Sequence, residues 1–150
     1  MMNLIDVLVT TIISATVSVL VNRVDTALKE KSQEKKALRT MSALLADEIQ
    51  MGVHLIQRFL KGELVSRELM AELPTLQWYA CRSRVQELDP RLADEVAPYY
   101  KELSEYRRFL ASKTKTDDPT PASQAVLARA ERALAALSRV SGSNVRGPTK

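Results

Sequence analysis

The sequence predicts an all-α protein, in which an N-terminal transmembrane helix continues into a long helix and is followed by a small antiparallel helical bundle. The chain of 150 residues contains only 4 glycines and 6 prolines. Ala, Leu, Glu, Lys and Arg are abundant, and they favour helices because they lose little rotamer freedom there. Behind an apolar N-terminal run, apolar residues recur at spacings of three and four, the period of amphipathic helices.

The apolar run covers residues 4–21 and contains Asp6 as its one charged residue. As a helix it would be about 27 Å long, close to the roughly 30 Å of a bilayer's hydrocarbon core. Asp6 lies in the first turn, where it can reach the headgroups and favours the positive end of the helix dipole. We therefore predict a transmembrane helix at 4–21, with residues 1–3 as a short external N-terminus.

Two alternatives to the transmembrane helix stay open at this point. A cleaved signal peptide would need a positively charged start and a shorter apolar core, and neither is present. A buried helix or strand of a soluble domain would fit the many β-branched residues of the run. The length of the run and the basic residues behind it favour the transmembrane interpretation.

Basic residues follow the apolar run, whereas no Lys or Arg precedes it. By the positive-inside rule, the protein is predicted to be a single-pass protein of the inner (plasma) membrane, with its N-terminus outside and its C-terminal domain in the cytoplasm. Residues 22–37 alternate in charge, which is typical of a solvated stalk helix. Near the bilayer, their excess positive charge would also attract anionic lipid headgroups. The membrane-proximal basic residues are Arg23, Lys29, Lys31, Lys35, Lys36 and Arg39.

Small residues gather on one face of the predicted transmembrane helix. Thr10, Ser14 and Ser18 recur at every fourth position, with Thr11 and Ala15 beside them. Such a face lets two helix backbones approach closely in lipid, and hydroxyl groups can bond across the contact. It predicts a homo-oligomer. The alternative is that the hydroxyl groups bond only to carbonyls of their own helix.

Residues 38–113 are predicted to form the helical bundle. The first helix there has an apolar stripe, made of Leu38, Met41, Leu45, Ile49, Gly52, Ile56 and Phe59. Four more apolar residues widen the stripe, namely Leu44, Met51, Leu55 and Leu60. A stripe of this width can pack against more than one neighbour, so we expect this helix at the centre of the bundle. Gly62 predicts where the helix ends.

A short helix at residues 64–71 would precede a turn. Pro74 disfavours helical backbone at Leu73, and Thr75 is predicted to cap a new helix that begins at Leu76. The aromatic residues of this helix and the next have helical spacings that predict a place in the core. They are Trp78, Tyr79, Tyr99, Tyr100 and Tyr106.

Asp89 and Pro90 predict another helix start, with Asp89 as the cap and Pro90 at the first helical position. Pro98 should kink this helix near Asp94, because proline removes a backbone hydrogen bond. The helix is predicted to bury a seam made of Leu92, Val96, Tyr99, Leu103, Tyr106 and Leu110. Behind it we expect a polar loop, a C-terminal helix and a disordered tail, at residues 114–121, 122–140 and 141–150.

The residues that could support chemistry are few, so we predict no catalytic residues and no enzyme activity. His54 and Cys81 are single, and we expect a partly buried histidine and a cysteine that acts as a small apolar residue. One cysteine excludes a zinc site of paired cysteines within the chain, and no Glu-x-x-His spacing occurs, so no metal is expected. Glu48 lies within the apolar region of its helix and is predicted to cap a helix or to pair with a basic side chain.

Ligand and nucleic-acid binding also have little support in the sequence. Four scattered glycines form no phosphate-binding loop, so no cofactor is expected. Nucleic-acid binding would need basic residues among exposed aromatic ones, whereas the aromatic residues here have core spacings. The candidate basic residues are Arg82, Arg84, Arg107 and Arg108.

Three motifs behind the apolar run resemble parts of known proteins. They are the helix segment Leu44-Leu45-Ala46-Asp47-Glu48-Ile49, the turn Leu73-Pro74-Thr75 followed by Trp78, and the helix with Tyr99-Tyr100. With the apolar run, they resemble uncharacterised bacterial single-span membrane proteins that have a cytoplasmic helical domain. This resemblance implies the fold and no function. The layout is also similar to phage inner-membrane spanins, whose coiled-coil domain lies outside, although the basic residues here favour the opposite orientation.

The function predicted from the sequence is that of a membrane-anchored helical interaction or scaffold protein. It would contact the lipid bilayer, associate with itself and bind a protein partner through exposed helix faces. The alternative is a phage-type lysis or membrane-disrupting accessory protein, in which the transmembrane helix is the active element.

Overall fold

The computed structural model describes residues 4–113 and 117–142, with side chains described from Asn22 onward. Within these residues the chain is all-helical and contains no strand, which confirms the predicted class. The helices are α1 (Leu4–Leu60), α2 (Ser66–Glu72), α3 (Leu76–Leu88), α4 (Pro90–Ser112) and α5 (Thr120–Ser141). The chain divides into two units, Met1–Ala37 and Leu38–Lys150.

The N-terminal unit consists of the first part of α1. Residues 22–36 are all exposed, as expected for a helix stalk that alternates in charge. No helix within the described part of the chain is long and apolar enough to cross a membrane. The predicted span at 4–21 has helical backbone, but its side chains, including the small-residue face of Thr10, Ser14 and Ser18, lie outside the described residues.

The second unit buries one hydrophobic core to which all five helices contribute. Helix α4 packs against α2, α3 and α5, and its entire predicted apolar seam is buried. From α1, the core receives Leu45, Ile49, Leu55 and Ile56. Of the four residues predicted to widen the apolar stripe of α1, only Leu55 is buried. The prediction is wrong for Leu44, Met51 and Leu60, whose side chains are exposed. An apolar side chain at the edge of a broad stripe is buried only where a neighbouring helix covers it.

Most helix ends are where the sequence predicts them. Helix α1 ends just before Gly62, whose φ of 76° is accessible to glycine and whose N–H donates to the Phe59 carbonyl. The Asp89 side chain caps α4 by accepting a hydrogen bond from the Leu92 N–H at 3.0 Å. Helix α5 begins at Thr120, two residues earlier than predicted, where the Thr120 N–H donates to the Asp118 carboxylate. Helix α4 includes Pro98, and the kink expected near Asp94 stays a prediction.

Candidate protein-docking groove

A buried carboxylate joins three helices at one point of the bundle. Glu48 of α1 is only 6% exposed. One of its oxygens accepts a hydrogen bond from the Gln77 N–H at 2.7 Å, and the other accepts from the Trp78 N–H at 3.2 Å and from the Tyr100 hydroxyl at 2.7 Å. Burying a charge is costly unless hydrogen bonds compensate it, and three donors do so here.

Glu48 acts as the N-terminal cap of α3. The first N–H groups of a helix lack partners within that helix, and a negative charge beside them also favours the helix dipole. Helix α3 begins at Leu76 with Thr75 at the N-cap position, as predicted, but the Thr75 side chain makes no cap hydrogen bond, so its predicted capping role is wrong. Capping was one of the two roles predicted for Glu48, and it is confirmed. The Glu48 carboxylate lies 29 positions before Gln77 in the sequence and takes the place of a local cap.

Aromatic rings pack around the carboxylate. The Trp78 and Tyr100 rings stack with centroids 4.9 Å apart, and Tyr99 meets Tyr100 edge-on. Burial, followed by the hydrogen bond and charge of Glu48, raises the pKa of Tyr100 well above its ordinary value, and burial with the same charge raises the pKa of Tyr99. Burial and the Glu48 charge also raise the pKa of the Cys81 thiol. These groups therefore stay protonated at neutral pH.

The turn between α2 and α3 is held from two sides. The Leu73 side chain is buried, and the Arg107 guanidinium of α4 donates a hydrogen bond to the Leu73 carbonyl. Directly after the turn, the Glu48 carboxylate holds the first N–H groups of α3. The beginning of α3 is thereby fixed relative to the neighbouring part of α1.

An open groove of about 330 Å³ lies between α1 and the beginning of α3. Its lining includes Leu44, Asp47 and Met51 from α1 and Pro74 and Leu76 from the turn and α3. Met51 is 58% exposed and Leu76 is 76% exposed. Large apolar side chains that are exposed together often mark a site of interaction with another molecule.

Asp47 gives the groove an acidic centre. Its side chain is exposed, and it forms no ion pair with the described residues. Because it lies one turn from both Leu44 and Met51 on the same face of α1, the three residues form an apolar, acidic, apolar sequence along the groove. On the next turn of α3, Tyr79 is exposed beside the Arg82 guanidinium, so the prediction that Tyr79 is a core residue is wrong.

The structure does not assemble the other residues considered from the sequence into a catalytic or metal site. His54 is exposed on α1, contrary to the predicted partial burial, and Cys81 on α3 is half-buried. Within the described residues, no group of three or more His, Cys, Asp or Glu side chains could hold a metal ion. The predicted membrane-proximal basic residues are exposed, and they are Arg23, Lys29, Lys31, Lys35, Lys36 and Arg39.

Three of the arginines considered for nucleic-acid binding have other partners. The Arg82 guanidinium lies over the Tyr79 ring, Arg84 pairs with Glu87 at 2.6 Å, and Arg107 bonds to the turn before α3. Arg108 is exposed on α4. Arg107 therefore contributes to the packing of the bundle, whereas Arg82 and Arg84 make exposed contacts within α3.

Sequence reasoning missed the groove because it assigned Leu44 and Met51 to the core. Their position at the edge of the stripe is only a partial signal, since Leu55 lies beside Ile56 in the same way and is buried. No protein-family model, curated protein or solved structure matches this chain.

Proposed function

We propose that this chain is a membrane-anchored helical interaction or scaffold protein that associates with itself. Residues 4–21 would form the anchor in the inner membrane, and the bundle would lie on the cytoplasmic side. The apolar run and the basic residues that follow it support this arrangement. The observation that carries the proposed function is the open apolar groove between α1 and α3.

The proposed occupant of the groove is an amphipathic helix of a partner protein with a basic residue at its centre. Apolar residues one or two turns apart on such a helix would cover Leu44, Met51 and Leu76. A Lys or Arg between them would pair with Asp47, which has no ion pair within the described part of the chain. Charge pairing at a groove of this kind selects among partners more than it adds affinity.

The surroundings of the groove favour binding without a large rearrangement. The hydrogen bonds of Glu48 and Arg107 hold the beginning of α3 in place, and the buried Trp78 ring stacks on Tyr100 of α4. A preformed surface loses less conformational entropy on binding than a flexible one.

A photo-crosslinking experiment tests the proposed occupant in cells. The full chain is expressed with the photoreactive amino acid p-benzoylphenylalanine in place of Met51, and in a control in place of Gln124, an exposed residue of α5. We expect one discrete adduct from position 51 that is absent from position 124, and mass spectrometry should place it on a helix with a Lys or Arg between apolar residues. Asp47→Arg should weaken the adduct at least about ten-fold, because like charges would then meet in the groove, whereas Asp47→Glu should retain it.

Three results would overturn the proposed occupant. The first is an adduct of equal yield at positions 51 and 124. The second is an adduct that is insensitive to Asp47→Arg. The third is an adduct with lipid or with a second copy of the chain instead of another protein.

A further inference from the structure

The stalk, residues 22–37, exposes an apolar face that no described residue of the N-terminal unit covers. Val24 is 57% exposed and Leu28 is 60% exposed. Residues four positions apart lie next to each other on one side of a helix, so these two side chains form one strip. Removing aliphatic side chains of this size from water is favourable, so a complex with a partner that covers both of them would be stabilised.

The same strip continues with charged residues at coiled-coil spacing. Leu28 follows Val24 by four residues, Lys31 follows Leu28 by three, and Lys35 follows Lys31 by four. These spacings place Val24 and Lys31 at d positions and Leu28 and Lys35 at a positions of a heptad pattern. Glu34 then occupies the g position directly before Lys35. Neither Glu34 nor Lys35 forms an ion pair with a described residue.

We infer that this strip pairs with the same strip of a second copy of the chain, in parallel. In a parallel coiled coil, a residue at g lies beside the next a residue of the other helix, so Glu34 of each copy would meet Lys35 of the other. The two contacts are related by the two-fold axis of the dimer, which makes the strip complementary to itself. Val24 and Leu28 would each pack against their counterparts and lose their exposure to water.

The orientation and strength of this pairing rest on the proposed function. Anchors in one membrane would hold all stalks in the same direction and close to the bilayer surface, which raises their effective concentration. The seam has only two apolar layers, and in the other two layers Lys31 and Lys35 of one copy would face the same residues of the other. The pairing is therefore weak between free chains and becomes substantial when the chains are tethered.

Cysteine crosslinking of the full chain in phospholipid vesicles tests the pairing. In a Cys81→Ala background, Leu28→Cys places a thiol in the seam, and Gln33→Cys places one on the opposite face of the stalk as a matched control. We expect a disulfide-linked dimer to form at least about ten-fold faster from Leu28→Cys, because paired helices hold seam thiols at high effective concentration. Val24→Cys should behave like Leu28→Cys.

Charge variants test the register of the two helices. Lys35→Glu in the Leu28→Cys chain should slow dimer formation several-fold, since it places four carboxylates together at the seam. Adding Glu34→Lys to this variant exchanges the charges of positions 34 and 35. Opposite charges then meet again across the seam, and the original rate of dimer formation should return. Equal rates at positions 28 and 33, or a rate that is insensitive to both charge changes, would overturn the pairing.

Flotation of the same samples on a density gradient separates this inference from the proposed anchor. A chain that floats with the vesicles and shows no seam preference would refute the stalk pairing and leave the anchor standing. If the chain stays at the bottom, the anchor fails, and the pairing is then judged on the same comparison of positions 28 and 33 at a chain concentration raised to replace the missing tether. A seam preference supports it there, and its absence refutes it.

Discussion

At the scale of single residues, Gly52 and Tyr99 show how closely α1 and α4 approach each other. A Cβ atom added to Gly52 would lie 2.5 Å from the Tyr99 hydroxyl oxygen and 3.8 Å from the ring carbon that bears it. That hydroxyl is buried and has no hydrogen-bond partner among the described residues. The glycine therefore makes room for one polar atom, and the hydroxyl gains no hydrogen bond there.

This contact predicts opposite effects of one substitution in two backgrounds. In the native chain, Gly52→Ala should lower the free energy of unfolding by about 1–3 kcal/mol, because the rigid Tyr99 ring cannot move its hydroxyl away in a packed core. In a Tyr99→Phe background, the same change should raise stability by up to about 1 kcal/mol, since alanine favours helix over glycine. Thermal unfolding of the full chain in detergent measures both, and equal effects in the two backgrounds would contradict the contact.

Glu48 is a residue whose role could be predicted only in part from the sequence. A carboxylate inside an apolar stripe indicates a compensated charge, and capping was one of the two roles predicted for it. Its partners, however, are Gln77, Trp78 and Tyr100, which lie 29, 30 and 52 positions away. Hydrogen bonds over such distances depend on how the helices pack, and no local pattern specifies that.

At the scale of helices, the two starts at α3 and α4 differ in the source of their caps. Asp89 caps α4 within its own turn, as the local sequence predicts. Thr75 precedes α3 in the same way but makes no cap hydrogen bond, because the Glu48 carboxylate already accepts from the N–H groups of Gln77 and Trp78. Hydrogen bonds to a carboxylate of another helix have replaced the cap that the local sequence predicts.

Paired substitutions at the two caps test this difference. Asp89→Ala should lower the free energy of unfolding by about 1 kcal/mol, the usual effect of removing a side-chain cap, and Asp89→Asn should retain most of the stability. Thr75→Ala should change stability by less than about 0.5 kcal/mol, because no cap hydrogen bond is lost. Chemical denaturation of the full chain in detergent compares them, and an equal loss at both positions would show that Thr75 also caps its helix.

Helix periodicity predicted the interior of the bundle better than its surface. The seam of α4 is buried as expected, since every third or fourth residue along it is apolar and the helix lies between several neighbours. Leu44 and Met51 satisfy the same rule on α1, yet they line the exposed groove. The difference lies in whether a neighbouring helix reaches that side, which depends on the turn around Pro74 and the position of α3.

At the scale of the whole molecule, three parts of the chain have different proposed tasks. The proposed anchor at residues 4–21 would fix the chain in a membrane, the stalk would pair copies, and the bundle would present the groove to a partner. The class of the fold follows from composition and period, whereas the groove required the positions of the helices. Each part can be changed separately, since the stalk strip and the groove share no residue.

Cysteine labelling in a bacterial host tests the proposed anchor and its orientation together. In a Cys81→Ala background, Gln124→Cys reports on the bundle and Asn3→Cys on the N-terminus, each probed with a membrane-impermeant maleimide in spheroplasts and in inverted vesicles. Ile13→Arg places a charge near the centre of the predicted span, which costs roughly 2.5–3.5 kcal/mol for insertion, and Ile13→Leu is its control.

We expect the chain to resist extraction from membranes by alkaline carbonate, and Ile13→Arg, but not Ile13→Leu, to increase its release. Gln124→Cys should be labelled only in inverted vesicles, and Asn3→Cys only in spheroplasts. Labelling of Gln124→Cys in spheroplasts, or complete release of the native chain by carbonate, would contradict the proposed anchor and orientation.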